Sequence, residues 1–410
     1  AGARLAMAQL FVLCFMYSTA ASPVASSCSS SFEQLTPPKL RSKRARFADA
    51  VHNSTAEVQP ARSVWDLIVF GFELEMLKLH MRVLHPVVAG FLVTEASIRF
   101  QTAKSKPTLL SDGLSAGTLP PYMREKTAVR VLGSDVAESL CKGRVLEGRS
   151  QGGVRKRYSG RCFQQQQRLA TLEMFLERAG PDDLAVVSDV DEIARPEVLS
   201  SLASCHPYSQ SGGPMEEGGG LILSARQFKF GVHCDTGYVW YEGPKVYAAR
   251  FLRREQRQRP WTAQGFDDLR RVGAYSLATR PRGAWHLTSF GSTLELHRKL
   301  TSFGAANLFA HEGALDIDRL AACTARCFEL LDRGAPSACP PLATNRSHGW
   351  RKRMGGRLPP RLPGRRITQL AGAELPPPLL AHPEDFPASW FVFLQPPPQA
   401  GRQAGAGDVM

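Results

Sequence analysis

Long hydrophobic runs are scarce in this chain of 410 residues. Only residues 5–21 approach membrane-spanning length, which excludes a multi-pass membrane protein. No internal repeat is visible. Histidine is missing at zinc-ligand spacing: Cys323 and Cys327, followed by Cys339, have no such partner and read as part of a helix, so a zinc site is not expected there. Excess charge is sparse in the middle of the chain. Of the net +14, residues 1–62 and residues 351–410 carry +4 each, leaving +6 for the 288 residues between. A nucleic-acid-binding core interleaves basic and aromatic residues on one folded face, and a basic excess that sits largely in the flanks argues against that partner. With 21% charged and 43% hydrophobic residues, wholesale disorder is excluded as well.

The ends are informative. An apolar run at residues 5–17 follows Arg4 and gives way to Ser18, Thr19, Ala20, Ala21 and Ser22. That is the layout of a secretory signal peptide cleaved near Ala21, or of a signal anchor that would give a single N-terminal membrane attachment. A buried or amphipathic N-terminal helix is the plainer alternative. Two glycosylation sequons, Asn53-Ser54-Thr55 and Asn345-Arg346-Ser347, agree with a luminal location. So do eight cysteines outside the apolar run, an even number compatible with disulfides. The chain divides into a leader (1–25), a flexible basic stem (26–62), one folded domain (63–350) and a mostly disordered Pro/Arg-rich tail (351–410). Eleven of the 29 prolines fall in that tail.

From Val64 the pattern becomes that of an α/β domain. A short apolar run at 64–70 precedes a helix over 73–84 with Leu74, Leu77, Met81 and Leu84 on one stripe. A second apolar run covers 87–93, so strand, helix and strand follow within about thirty residues, the order of a βαβ unit and a parallel sheet. The spacing predicts further strands at 127–132, 184–187, 221–230 and 245–252, and helices over 164–178 and 293–303.

The run at 184–187 leads into Ser188-Asp189-Val190-Asp191-Glu192. Three carboxylates at the carboxyl end of a parallel strand lie where open α/β sheets bind ligands. Hard oxygen donors of this kind suit Mg²⁺ or Mn²⁺, and such a cation neutralises a diphosphate leaving group. Asp-x-Asp alone is weak evidence: a second match, Asp316-Ile317-Asp318, reads as solvent-facing charge at a helix start. The buried strand and third acid distinguish the first, although an acidic turn without metal has the same pattern. His286, beside Trp285 at a strand end, is a candidate ligand, while a lone histidine is ordinarily structural.

Several ordered blocks together resemble glycosyltransferase family 17. They are Trp65-Asp66 through Phe72-Glu73-Leu74-Glu75; Val93-Thr94-Glu95-Ala96-Ser97 with Lys104-Ser105-Lys106-Pro107; Pro181-Asp182-Asp183 through Ser188-Asp189-Val190-Asp191-Glu192-Ile193; and Trp285-His286, Phe290-Gly291 and Lys299-Leu300. Phe72 departs from the family pattern, which has a polar residue before Glu73. Ala103 and Ser105 stand in for Gly and Pro.

The resemblance implies a GT-A-like mixed sheet flanked by helices. It also implies an inverting transferase in the secretory pathway, in the Golgi lumen or membrane. The implied donor is UDP-N-acetylglucosamine and the implied acceptor a mannose of a glycoprotein N-glycan, joined in β-1,4 linkage. Another UDP-sugar, another acceptor, or an inactive carbohydrate-binding relative are the alternatives. The candidate metal ligands are Asp191, Asp189 (on the cation or the ribose) and His286, with Mn²⁺ or Mg²⁺ as cofactor. Lys104, Lys106 and Lys299 are candidates for the phosphates and Trp285 for the donor. Glu192 is the first choice for general base, with Glu73 and Glu95 at other edges of the same crevice.

Overall fold

Apolar runs and amphipathic helices build one mixed sheet. In the computed structural model its strands are β1 (Val64–Phe70), β2 (Gly90–Ala96), β3 (Thr127–Leu132), β4 (Leu184–Asp189), β5 (Glu192–Ala194), β6 (Leu221–Lys229), β7 (Asp235–Trp240), β8 (Lys245–Ala248) and β9 (Ala278–Thr288). They run in the order β3-β2-β1-β4-β8-β6-β9-β5, with β7 paired to β6. The first four pair in parallel. β8 then pairs antiparallel with β4, and β5 antiparallel with β9.

The structure describes residues 62–99, 105–141, 160–204, 220–258, 260–269, 278–302, 316–325 and 375–394, all within one compact unit, Phe32–Met410. The leader, the stem up to residue 61, both sequons, Lys104, Cys327 and Cys339 lie outside the described residues. Among the described residues no helix is long and apolar enough to cross a membrane.

The period-two alternation of a strand sends its side chains to two covered faces. From β1, Val64, Ile68 and Phe70 enter one core with Met76, Leu77 and Met81 of the Leu74–Leu84 helix. Leu67 enters a second core with Leu172 and Phe175 of the Gly160–Arg178 helix and Phe251 and Phe266 beyond it. The result is helix, sheet, helix, the mixed α/β arrangement expected. A third, smaller cluster surrounds the disulfide Cys141–Cys162, which joins the Ser134–Cys141 helix to the Gly160–Arg178 helix.

Three expectations need correction. β2 starts at Gly90 rather than 87, because the amides of Val87 and Val88 are spent on the Leu84 carbonyl at the end of the preceding helix. The run at 245–252 is a strand only to Ala248. Ala249 and Arg250 donate to the Asp183 and Pro181 carbonyls, and a helix, Ala249–Gln258, begins with Phe251 and Leu252 turned to the core.

The tail, expected to be mostly disordered, contains a segment at 375–394 that is packed in the larger core. Leu375, Leu379, Phe386, Trp390 and Phe391 are buried there, Phe386 stacks on Trp390, and Trp390 meets Phe290 edge-on at 5.5 Å. Its prolines open a short helix, where a missing N–H costs nothing. Average composition hides five apolar anchors in a proline-rich stretch. Trp390→Ala is expected to destabilise the fold by about 3 kcal/mol in urea unfolding; a loss under about 1 kcal/mol would mean the segment is not part of the core.

Candidate active site

Parallel pairing brings the carboxyl ends of β1, β2 and β4 level: Phe70 pairs in register with Glu95, and Val69 with Asp189. The chemistry-bearing residues follow these ends. Beyond Phe70, Glu73 occupies the N-cap position of the Leu74–Leu84 helix without a capping side-chain bond. Beyond Asp189 comes the Val190-Asp191 turn into β5.

That turn is held from several sides. The Asp189 amide donates to Glu192 Oε2 at 3.0 Å, and Trp240 Nε1 donates to Glu192 Oε1 at 2.9 Å. Leu287 N donates to the Asp191 carbonyl at 2.8 Å, and Glu192 pairs with His286 across β5 and β9. Both oxygens of the buried Glu192 carboxylate therefore fix the turn, which leaves this first choice of base poorly disposed to receive a proton.

Lys299 gathers the site. Its Nζ lies 2.6 Å from Glu73 Oε1 and 2.9 Å from Asp191 Oδ2. The Thr293–Ser302 helix delivers it there, with Leu296 and Leu300 buried on the same stripe. A capping box starts this helix: Ser292 Oγ accepts from the Glu295 amide, and Glu295 Oε2 accepts from the Ser292 amide at 2.7 Å. Ser289 with φ 60° and Gly291 with φ 142° make the sharp turn out of β9 that aims it.

Two carboxylates share one ammonium, and their environments part them. Burial raises the Glu73 carboxyl above its ordinary value; Lys299 opposes this, while Asp191 and Asp189 add to it. Burial works against ionising Asp191 too, but Lys299 and His286 outweigh it and hold that carboxyl low. Lys299 is held high, because Asp191 and Glu73 overcome the burial of its charge. Asp191 is thus the firmly ionised partner and Glu73 the one with affinity for a proton. Its second oxygen makes no hydrogen bond among the described residues.

The other candidates divide clearly. His286 Nε2 is 3.9 Å from Asp191 Oδ1, with Trp240 packed on its ring at 4.7 Å and Gln227 Nε2 3.3 Å from its Nδ1. Asp189 Oδ1 receives Arg168 at 2.8 Å, and Arg168 also pairs with Asp267. Glu95 is buried and accepts from the amides of Leu110 and Ser111, so both oxygens cap the Leu109–Ser115 helix. Lys106 donates to the Gly71 carbonyl at 3.0 Å over the Phe72 ring, bracing the loop before Glu73. Trp285 is a core residue under the Arg195 guanidinium at 4.2 Å, not a face open to a donor.

Sequence reasoning passed over Arg168, His80 and Gln227, took Asp66 only as part of a family block, and weighed Trp240 only as one of several aromatics that are core or a sugar platform. Asp66, a lone charge inside an apolar strand, and His80, on the apolar stripe of the next helix, were visible signals. Arg168, one of several polar residues along its helix, offers none.

Among the described residues no three His, Cys, Asp or Glu side chains converge to hold a metal by themselves. The residues present fit a cation bound the other way. Mg²⁺-like ions often rest on one or two carboxylates and complete their shell with substrate phosphates and water. Asp191 Oδ1, which faces His286 rather than Lys299, is the oxygen suited to that role.

Known proteins bear on this geometry in three ways. The model of glycosyltransferase family 17 matches residues 4–211, just over half of the chain, and the chain belongs to this family of glycosyltransferases. No curated protein matches significantly. Two solved structures of the glycosyltransferase GlyE from Streptococcus pneumoniae TIGR4 are similar: the apo form at 12% identity with TM-score 0.24, the other at 10% with TM-score 0.23. Each comparison covers 53% of this chain and 45% of that one, so the chain spans less than half the length of those relatives. Glu73 and the Asp189–Glu192 turn fall inside the family match, whereas Trp240, His286 and Lys299 come from beyond it.

Replacing Lys299 by Met leaves Glu73 and Asp191 buried without their counter-charge. We expect a loss of about 3 kcal/mol in urea unfolding at pH 8. The loss should shrink toward pH 5, because both carboxyls, raised once the ammonium is gone, then take up protons in the folded state. A loss independent of pH would show that the bridge contributes packing and no charge pairing.

Proposed function

We propose that this glycosyltransferase moves N-acetylglucosamine from UDP-N-acetylglucosamine, with inversion, to a mannose hydroxyl of a glycoprotein N-glycan in β-1,4 linkage. The observation that carries the catalytic part is geometric: Lys299 bridges Glu73 and Asp191 just beyond the level strand ends, with burial raising the Glu73 carboxyl and Lys299 and His286 lowering that of Asp191. The sugar and the acceptor rest on the family resemblance.

In this reading the acceptor hydroxyl attacks the anomeric carbon as Glu73 takes its proton. The new C–O bond forms while the bond to the β-phosphate breaks, and UDP departs. Glu73 is preferred over Glu95 and Glu192 because their oxygens already serve a helix start and a turn. Asp191, with Asp189 or His286 beside it, would hold Mn²⁺ or Mg²⁺, which when bound supplies counter-charge for the diphosphate. Lys299 adds a fixed positive charge at the same edge, and its hold on Glu73 keeps that carboxylate pointed into the crevice. The Cys141–Cys162 disulfide supports a luminal, oxidising location such as the Golgi.

The pairing of both Asp-x-Asp carboxylates with resident cations favours a second reading, a carbohydrate-binding relative without turnover. Transfer assays with UDP-N-acetylglucosamine, Mn²⁺ and a panel of N-glycan acceptors separate the two. The first reading predicts metal-dependent transfer. Glu73→Gln should lower kcat by about 10²–10⁴-fold with little change in KM. In the parent kcat should fall on acidification, with a midpoint above the ordinary glutamate value of 4.5. Acceptor binding without transfer from any UDP-sugar would select the second reading.

A further inference from the structure

The Leu74–Leu84 helix carries one buried histidine on its apolar face, and the strand beneath carries one buried aspartate. His80 Nε2 lies 2.7 Å from Asp66 Oδ2, and His80 Nδ1 lies 2.9 Å from the Val190 carbonyl. A carbonyl only accepts, so Nδ1 carries the hydrogen. Asp66 Oδ1 in turn accepts from Ser188 Oγ at 3.0 Å. The two buried side chains therefore grip residues 188 and 190, which flank Asp189.

We propose that the His80–Asp66 pair is the positioning device of the donor-binding turn, holding Ser188 and Val190 against the helix layer so that Asp189 and Asp191 are presented to the donor. This rests on reading that turn as the donor edge, and it assigns His80 a role through Val190 rather than contact with a substrate.

Three features support it. Both side chains are fully buried among Leu77, Met81, Val186 and other apolar neighbours, where a hydrophobic pair would fold more cheaply. Every further hydrogen bond of the pair ends on the turn or on the strand residue just before it. Finally, the acidic side chains of the same segment are held by different groups: Arg168 on Asp189, and Lys299 on Asp191. Removing the pair leaves those two contacts in place. Burial alone would drive the proton off His80, but Asp66 and the Val190 carbonyl outweigh it, so the imidazole keeps its proton more tightly than usual.

Hydrogen–deuterium exchange on the full chain tests this without knowing the sugar. His80→Leu removes both bonds; His80→Gln has one amide donor for two acceptors and is read in parallel should the leucine variant not fold. The expected result is exchange about tenfold faster at the amides of residues 189–193, with β2 and β3 unchanged, the effect of losing roughly one hydrogen bond locally. UDP binding in the presence of Mn²⁺, read by calorimetry, should weaken about tenfold in the same variants. Faster exchange spread evenly over all strands, or an unchanged turn beside a lowered melting temperature, would overturn the proposal and leave His80 as an ordinary core pair. If the parent does not bind UDP, the donor-edge reading fails, while the exchange pattern still decides whether the pair positions the turn.

Discussion

Everything at the proposed centre depends on one half-buried ammonium. Lys299 reaches from a helix late in the chain to Glu73, at the end of the first strand, and to Asp191, past the end of the fourth. Without it, two carboxylates would face each other in a low-dielectric pocket, and their mutual repulsion would open the crevice or force both to take up protons. With it, one excess negative charge remains, shared unequally. The proposed division of labour between the two acids, base and cation ligand, rests on that inequality.

The bridge also explains how a site spread over the chain becomes one object. The parallel strands bring Glu95, Asp189 and the approach to Glu73 to a common level, but they do not supply the groups that join them. Those come from β9 and the helix after it, which carry His286 and Lys299, with the Ser292–Glu295 capping box and the Ser289–Gly291 turn setting the direction of approach. The segment at 375–394 then packs Trp390 against Phe290, next to that same turn. That segment is thereby tied to the turn before the helix carrying Lys299, although none of the residues at 375–394 is bonded to a group of the site.

Much of this was legible in the sequence, for identifiable reasons. Strand β1, its helix and strand β4 have clean periodicity, and the Asp-x-Asp block stands out because a buried strand precedes it. His286 stood out beside Trp285 at a strand end, and family blocks in the right order added Glu73 and Lys299. What sequence could not supply was pairing: that Glu95 spends its oxygens on two backbone amides and Glu192 on a backbone amide and the Trp240 indole, that Trp285 is core, or that Lys299 bridges acids 226 and 108 positions away. Sequence spacing carries no information about such distant partners. The helix at 249–258 and the core segment at 375–394 were missed because arginine and proline content masked a few well-spaced apolar anchors.

The central claim is that the level strand ends and the Asp189–Glu192 turn form a nucleotide-diphosphate edge centred on Asp191. Titrating UDP into the parent and into Asp191→Asn by calorimetry, each with and without Mn²⁺, addresses it most directly. The account predicts binding by the parent that strengthens with Mn²⁺, and loss of that metal dependence in the variant, whose folded state should persist. Binding that ignores both the metal and the substitution would contradict it, as would no binding by the folded parent.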